Sequence, residues 1–228
     1  MSPNWLRWHA LLGAVPLAGY LLIHLVGQVL SLSGSPLQRW LQDLLERSPL
    51  ALSLELLLVY APLAGHAALG AWRVTRSPSV PATAALDTVA LDTAAPDTDW
   101  PTPWGNALQR LSALALLVFL VLHVWQFEGR LWSGELRRAD FFPVLCASLS
   151  STALGGVPLV ALGYLFGVAA ASVHLAQGLY HAALSWGVVA PARRARLGRA
   201  CVLGGIMLFA AGAWIIIELA TGSVLPSL

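Results

Sequence analysis

Five stretches of this chain, about 9–31, 49–73, 106–127, 153–182 and 199–222, are each long and apolar enough to cross a bilayer, for which about 20 predominantly apolar residues suffice. No other feature restricts the fold as strongly. Backbone N–H and C=O groups cannot stay unpaired in lipid, so spans of this kind fold as helices and gather into a bundle. The expected architecture is all-α: one integral membrane bundle of five transmembrane helices filling residues 1–228, not a soluble domain with an anchor. Composition agrees, because 11% of residues are charged against roughly 25% in soluble domains. The first segment, MSPNWLRWHALLGAVPLAG, has a weakly basic start, no small-residue cleavage signature and too long an apolar run for a signal peptide. It reads as a retained span.

Five spans put the termini on opposite sides. All thirteen basic residues are arginine. Arg7, Arg73, Arg76, Arg110, Arg193, Arg194, Arg196 and Arg199 fall on one side, and Arg39, Arg47, Arg130, Arg137 and Arg138 on the other. The positive-inside bias then places the N-terminus in the cytoplasm. The net charge of +2 says little about partners, and no nucleic-acid partner is expected. The segment 77–103 carries four Asp, several Pro and an LDT echo without helical periodicity, and reads as a flexible acidic loop on the cytoplasmic side. Pro143, Gly155, Gly156 and Pro158 break the run from Phe141 to Val189, which predicts an interfacial piece over about 140–151 before a long fourth span. Gly163 and Gly167 form a GxxxG pair suited to close helix packing. Most tryptophans fall near span ends, as aromatic belts do. Cys146 and Cys201 form no CxxC or CxxCH pattern, which argues against zinc, iron–sulfur clusters and covalent haem and leaves two inert thiols.

Four of the six histidines lie inside apolar spans, one per span: His24, His66, His123 and His174. An ionisable residue in hydrocarbon points to function. At about 1.5 Å per residue, His24 and His123 come to rest towards the outer side of a hydrocarbon core about 30 Å thick, and His66 and His174 nearer the cytoplasm. Alternating topology thus sorts them into an outer pair, His24 with His123, and an inner pair, His66 with His174, roughly 13 Å apart in depth. Two bis-histidine sites in a four-helix core suit two haem b groups, and with no open iron position these carry electrons instead of activating oxygen. Gly65 and Gly70 around His66, and Gly178 after His174, would leave room for a porphyrin face. His9 and His181 sit at cytoplasmic helix ends, as interfacial histidines or as contacts for a haem propionate, and His181, seven residues after His174, competes with it for the inner pair.

On these same residues the chain resembles the di-haem cytochrome b membrane anchor of succinate:quinone oxidoreductases (succinate dehydrogenases and fumarate reductases) in its single-polypeptide, five-helix form. HALLGAVPLAGYLLIHLVGQ resembles the first helix, LELLLVYAPLAGHAALGAW the second, NALQRLSALALLVFLVLHVWQ the third and HLAQGLYHAALSWG the fourth. The last pattern favours His174 over His181. The resemblance implies a bacterial cytoplasmic membrane and a flavoprotein and an iron–sulfur subunit docked on the cytoplasmic face. It also implies electron passage between the iron–sulfur subunit and a membrane quinone, menaquinone or ubiquinone, through the two haems. The succinate site would then lie outside this chain, and the quinone site in it or bordering it.

Quinone chemistry needs protons. Asp43, Glu46, Glu55 and Glu218 fall at the outer helix ends, with Glu55 and Glu218 inside apolar helices; interfacial snorkelling explains each equally well. Gln28, one turn beyond His24, is a candidate hydrogen-bond partner for a quinone carbonyl, and Arg110 for an inner haem propionate. Two alternatives stay open: a di-haem cytochrome b anchor of a hydrogenase or formate dehydrogenase, and a haem-free proton-coupled transporter that uses the histidines as a relay. The internal symmetry typical of such transporters is not visible here.

Overall fold

The computed structural model describes residues 4–33, 48, 50–76, 103–152 and 156–222. The acidic loop (77–102), Asp43 and Glu46 lie outside the described residues. The regular elements are helices: α1 over 4–32, α2 over 51–76, α3 over 103–132, α4 Phe141–Ser150, α5 Leu159–Ser185 and α6 Arg194–Thr221. All but α4 are long and apolar enough to cross a membrane. The chain is a transmembrane helical bundle.

Local chemistry explains where helices bend and stop. Pro16 lies inside a widened π-turn, Gly13–Leu17, because proline has no N–H to give the carbonyl four residues back. The ladder is restored when the Ala18 N–H reaches the Gly13 carbonyl. A second such turn, Leu56–Tyr60, precedes Pro62. A third, Trp125–Gly129, contains no proline; the Trp125 ring folds over Gly129, where a β-carbon would sit 2.7 Å from it. That turn carries α3 on to Trp132, beyond the 127 expected from hydropathy, until Gly134 at φ +78° ends it. At the start of α5, Gly156 at φ +79° and Pro158 at the cap delay the helix to Leu159.

Both α3 and α6 pack along α5, while α1 packs on α2 and α5. Missing β-carbons set the closest approaches. A β-carbon at Gly167 would meet the Phe119 ring of α3, one at Gly205 would lie 3.1 Å from the Ser172 carbonyl, and one at Gly212 would lie 2.6 Å from Val168. In membranes, where burial of apolar area does not drive helices together, such small-residue contacts set which helices are neighbours. Of the Gly163–Gly167 pair, only Gly167 makes a close approach.

The largest apolar cluster sits at the end away from the N-terminus, here called the far end. Leu32 of α1, Phe127 of α3, Leu145 and Leu149 of α4, Ala161 of α5, and Ile215, Ile216 and Leu219 of α6 meet there. Helix α4 closes that end like a plug, and Leu149 is fully buried. By contrast, no described residue of α2 is buried.

Candidate functional site

Four helices each contribute one histidine, and the rings face each other in two pairs. Nearer the far end, His24 of α1 and His123 of α3 lie with ring centroids 6.0 Å apart and planes at 82°. Nearer the N-terminal end, His66 of α2 and His174 of α5 repeat the arrangement at 6.0 Å and 86°. His181 does not enter this second pair; its ring contacts Tyr180 instead.

Hydrogen bonds fix which nitrogen of two of these rings carries the proton. His66 Nδ1 lies 3.0 Å from the His9 carbonyl. A carbonyl only accepts, so Nδ1–H donates and Nε2 keeps its lone pair. For His123, Nδ1 lies 3.0 Å from the Tyr164 hydroxyl, and that hydroxyl donates its own proton to Gln126 Oε1 at 2.8 Å. The Tyr164 oxygen therefore accepts from His123 Nδ1–H, and again Nε2 keeps its lone pair. On His174, Nδ1 is buried without a well-formed hydrogen bond.

Aromatic rings wall both pairs. Tyr20 stacks on His24 with centroids 5.8 Å apart, Phe119 stacks on His123 at 5.5 Å, and Phe127 meets His123 edge-on. His9 lies flat on His66, 4.1 Å away. It therefore packs directly on the His66/His174 pair, a contact its sequence position did not reveal. A glycine of a neighbouring helix also lies beside His66. Gly65 faces Leu12, Gly70 faces His9 and Gly178 faces Gln109, while Gly13 of α1 lies against the His66 ring. Which neighbour each glycine faces is not visible from spacing along one helix.

At the far end the structure joins carboxylates that are distant in sequence. Arg138 bonds Glu55 at 2.8 Å and Glu128 at 3.2 Å, and its guanidinium lies over Phe141. Glu128 and Arg138 were not singled out from sequence. Glu128 lies within the widened turn of α3, for which hydropathy carries no signal. Glu218 accepts from Trp214 Nε1 at 3.0 Å on α6. Gln28 is half-buried and makes no hydrogen bond among the described residues. Arg110 is exposed. Arg7 and Arg194 each bury a guanidinium nitrogen, and Arg7 lies 5.8 Å over the Trp186 ring. Both cysteines are free thiols, and burial pushes the Cys146 thiol up, away from reactivity.

Among the described residues no three His, Cys, Asp or Glu side chains converge as a closed metal cage. Two opposed imidazoles would supply only part of a metal's coordination, and the rest would have to come from another source.

The chain is similar to the succinate dehydrogenase cytochrome b558 subunit of Bacillus subtilis, with 26% identity over 191 residues covering 84% of this chain and 83% of the relative. No family model and no solved structure matches it.

Proposed function

We propose that this chain is the membrane-anchoring cytochrome b subunit of a succinate:quinone oxidoreductase, holding one haem b between His24 and His123 and a second between His66 and His174. The observation that carries this reading is the pair of opposed imidazoles at 6.0 Å. An imidazole nitrogen bonds a transition metal at about 2 Å, which places two axial rings roughly 6 Å apart, centroid to centroid. The residues fit the group: Nε2 is left for the metal on His66 and His123, and Gly13 removes the β-carbon that would crowd His66. A bis-histidine haem b supplies one-electron transfer with no open iron position.

The remaining work falls to the chain. The His9 carbonyl and the Tyr164 hydroxyl hold two imidazoles in the ligating tautomer, and the stacked aromatic rings keep water away from them. Glu55, held by Arg138 beside Glu128, exchanges protons with the quinone at the far end, and Gln28 offers that quinone an amide. At the N-terminal end Arg7, rather than the exposed Arg110, is placed to meet a propionate. Eight of thirteen arginines lie on the N-terminal side of the spans, which argues that this end is cytoplasmic and that the flavoprotein and iron–sulfur subunits dock there. Similarity to a succinate dehydrogenase subunit supports those partners.

The test is a dithionite-reduced minus oxidised spectrum of the purified membrane complex, with a pyridine haemochrome count and identification of the co-purifying soluble subunits. We expect about two b-type haems per chain together with a flavoprotein and an iron–sulfur protein that oxidise succinate. A hydrogenase or formate dehydrogenase partner would redirect the assignment, and a folded preparation without haem would replace it with proton-coupled transport.

Tyr164→Phe tests the positioning role of the hydroxyl. Loss of such an outer hydrogen bond typically weakens metal binding about 10- to 100-fold. The expected result is a shifted potential or partial loss of the His24/His123 haem, read by redox titration, with the other haem unchanged. Two unaltered potentials would mean that Tyr164 does not orient His123.

A further inference from the structure

Helices α3 and α6 both lean on α5, and a groove remains between them with α5 as its floor. It has a volume of about 400 Å³, with Val173, Ala176 and Gln177 among its floor residues, Leu108 on the α3 wall, and Gly198 and Val202 on the α6 wall. The lining is nearly all apolar side chain. Its buried polar side chains are Ser172, whose hydroxyl donates to the Val168 carbonyl, Tyr180, and Gln177, 4% exposed, whose amide oxygen makes no hydrogen bond.

The groove runs up to a basic helix start. Arg194, Arg196 and Arg199 lie within about one turn of Gly198, Arg193 just precedes the helix, and no acidic residue occurs between His181 and Glu218. Arg193, Arg196 and Arg199 take part in no ion pair among the described residues. Arg194 stands one turn before Gly198 on the groove face of α6, with Arg199 beside that face.

We infer that this groove binds one anionic phospholipid of the leaflet at the N-terminal end, with an acyl chain along α5 and the phosphate on Arg194 and Arg199. Charge and shape favour a lipid over other occupants. A soluble protein docked on the arginines would not reach into a slot between spans, and a neutral quinone has no need of four arginines. Basic pockets between transmembrane helices at one membrane face are suited to lipid phosphates. Gln177 adds a carboxamide, able to donate to a glycerol-ester carbonyl.

The experiment uses the complete purified complex, exchanged into detergent and titrated with phosphatidylglycerol or with phosphatidylcholine of identical acyl chains. Retained lipid is counted by native mass spectrometry, and the thermal midpoint is followed in parallel. About one phosphatidylglycerol should be retained per chain and raise the midpoint, with phosphatidylcholine doing neither. The double variant R194Q/R199Q should bind phosphatidylglycerol about tenfold more weakly or worse. Val202→Trp, which fills the groove with an apolar ring, should block retention while haem content stays at the wild-type value. Equal retention of both lipids, retention untouched by Val202→Trp, or a quinone in the groove would each overturn the inference. So would loss of the soluble partners from R194Q/R199Q with lipid binding intact, which would make the arginines a protein dock.

Discussion

Replacing His66 or His174 by alanine is expected to leave the complex with one haem b in place of two. The two rings face each other across 6.0 Å, and an axial pair that loses one imidazole loses a metal–nitrogen bond that nothing else nearby replaces. His9 is the closest other imidazole, but it lies flat against His66, with the planes 12° apart. A ring stacked parallel on a ligand shields it and does not point at the same metal. The far-end pair draws on two other helices, α1 and α3, and should keep its haem in both variants. His181→Ala should leave both haems in place, because that ring faces Tyr180. Pyridine haemochrome counts on the four proteins decide the matter. Retention of two haems in His174→Ala, or loss of one in His181→Ala, would move the ligand to His181.

A comparable loss is expected from a position with no chemistry of its own. A β-carbon at Gly13 would sit 2.7 Å from Cε1 and 3.1 Å from Nδ1 of His66, closer than non-bonded atoms approach. The ring cannot easily retreat. It is held by the His9 carbonyl at 3.0 Å and covered by the His9 ring. Gly13→Ala should therefore break the hydrogen bond or tilt the ring and weaken the inner haem about 10- to 100-fold, the range for lost orienting contacts. Gly13→Val should abolish that haem. Gly163→Ala is the matched control, because no atom lies within 4 Å of its β-carbon position, and it should retain both haems at wild-type potentials. If Gly13→Val bound two haems normally, the inner site would be looser than its contacts imply.

These two expectations differ in how far they were visible beforehand. The histidines announced themselves, because an imidazole inside an apolar span stands out against its surroundings and helix rise converts its position to a depth. Gly13 did not, because a glycine in a membrane helix is common and its value depends on what lies opposite. The same holds for Arg138. It sits in a loop beside α4, ten residues from Glu128 and far from Glu55 in sequence, and only the folded chain gathers the three side chains. His9 was legible as an interfacial histidine or a propionate contact, but its stacking on His66 was not, since that depends on how α1 and α2 cross.

The sequence alone determined the number of spans, their alternating direction and the depth at which each histidine lies. Hydropathy and helix rise are local properties, and a bilayer of set thickness turns them into positions along its normal. Only the tertiary structure decided what lies sideways of each helix: that Phe119 fits over Gly167, that α6 rests against Ser172 and Val168, that Gly13 of α1 faces His66, and that a groove remains between α3 and α6. In lipid, apolar residues gain little by turning from the solvent to one another, so hydropathy does not choose neighbours. Steric fit between side chains remote in sequence makes that choice.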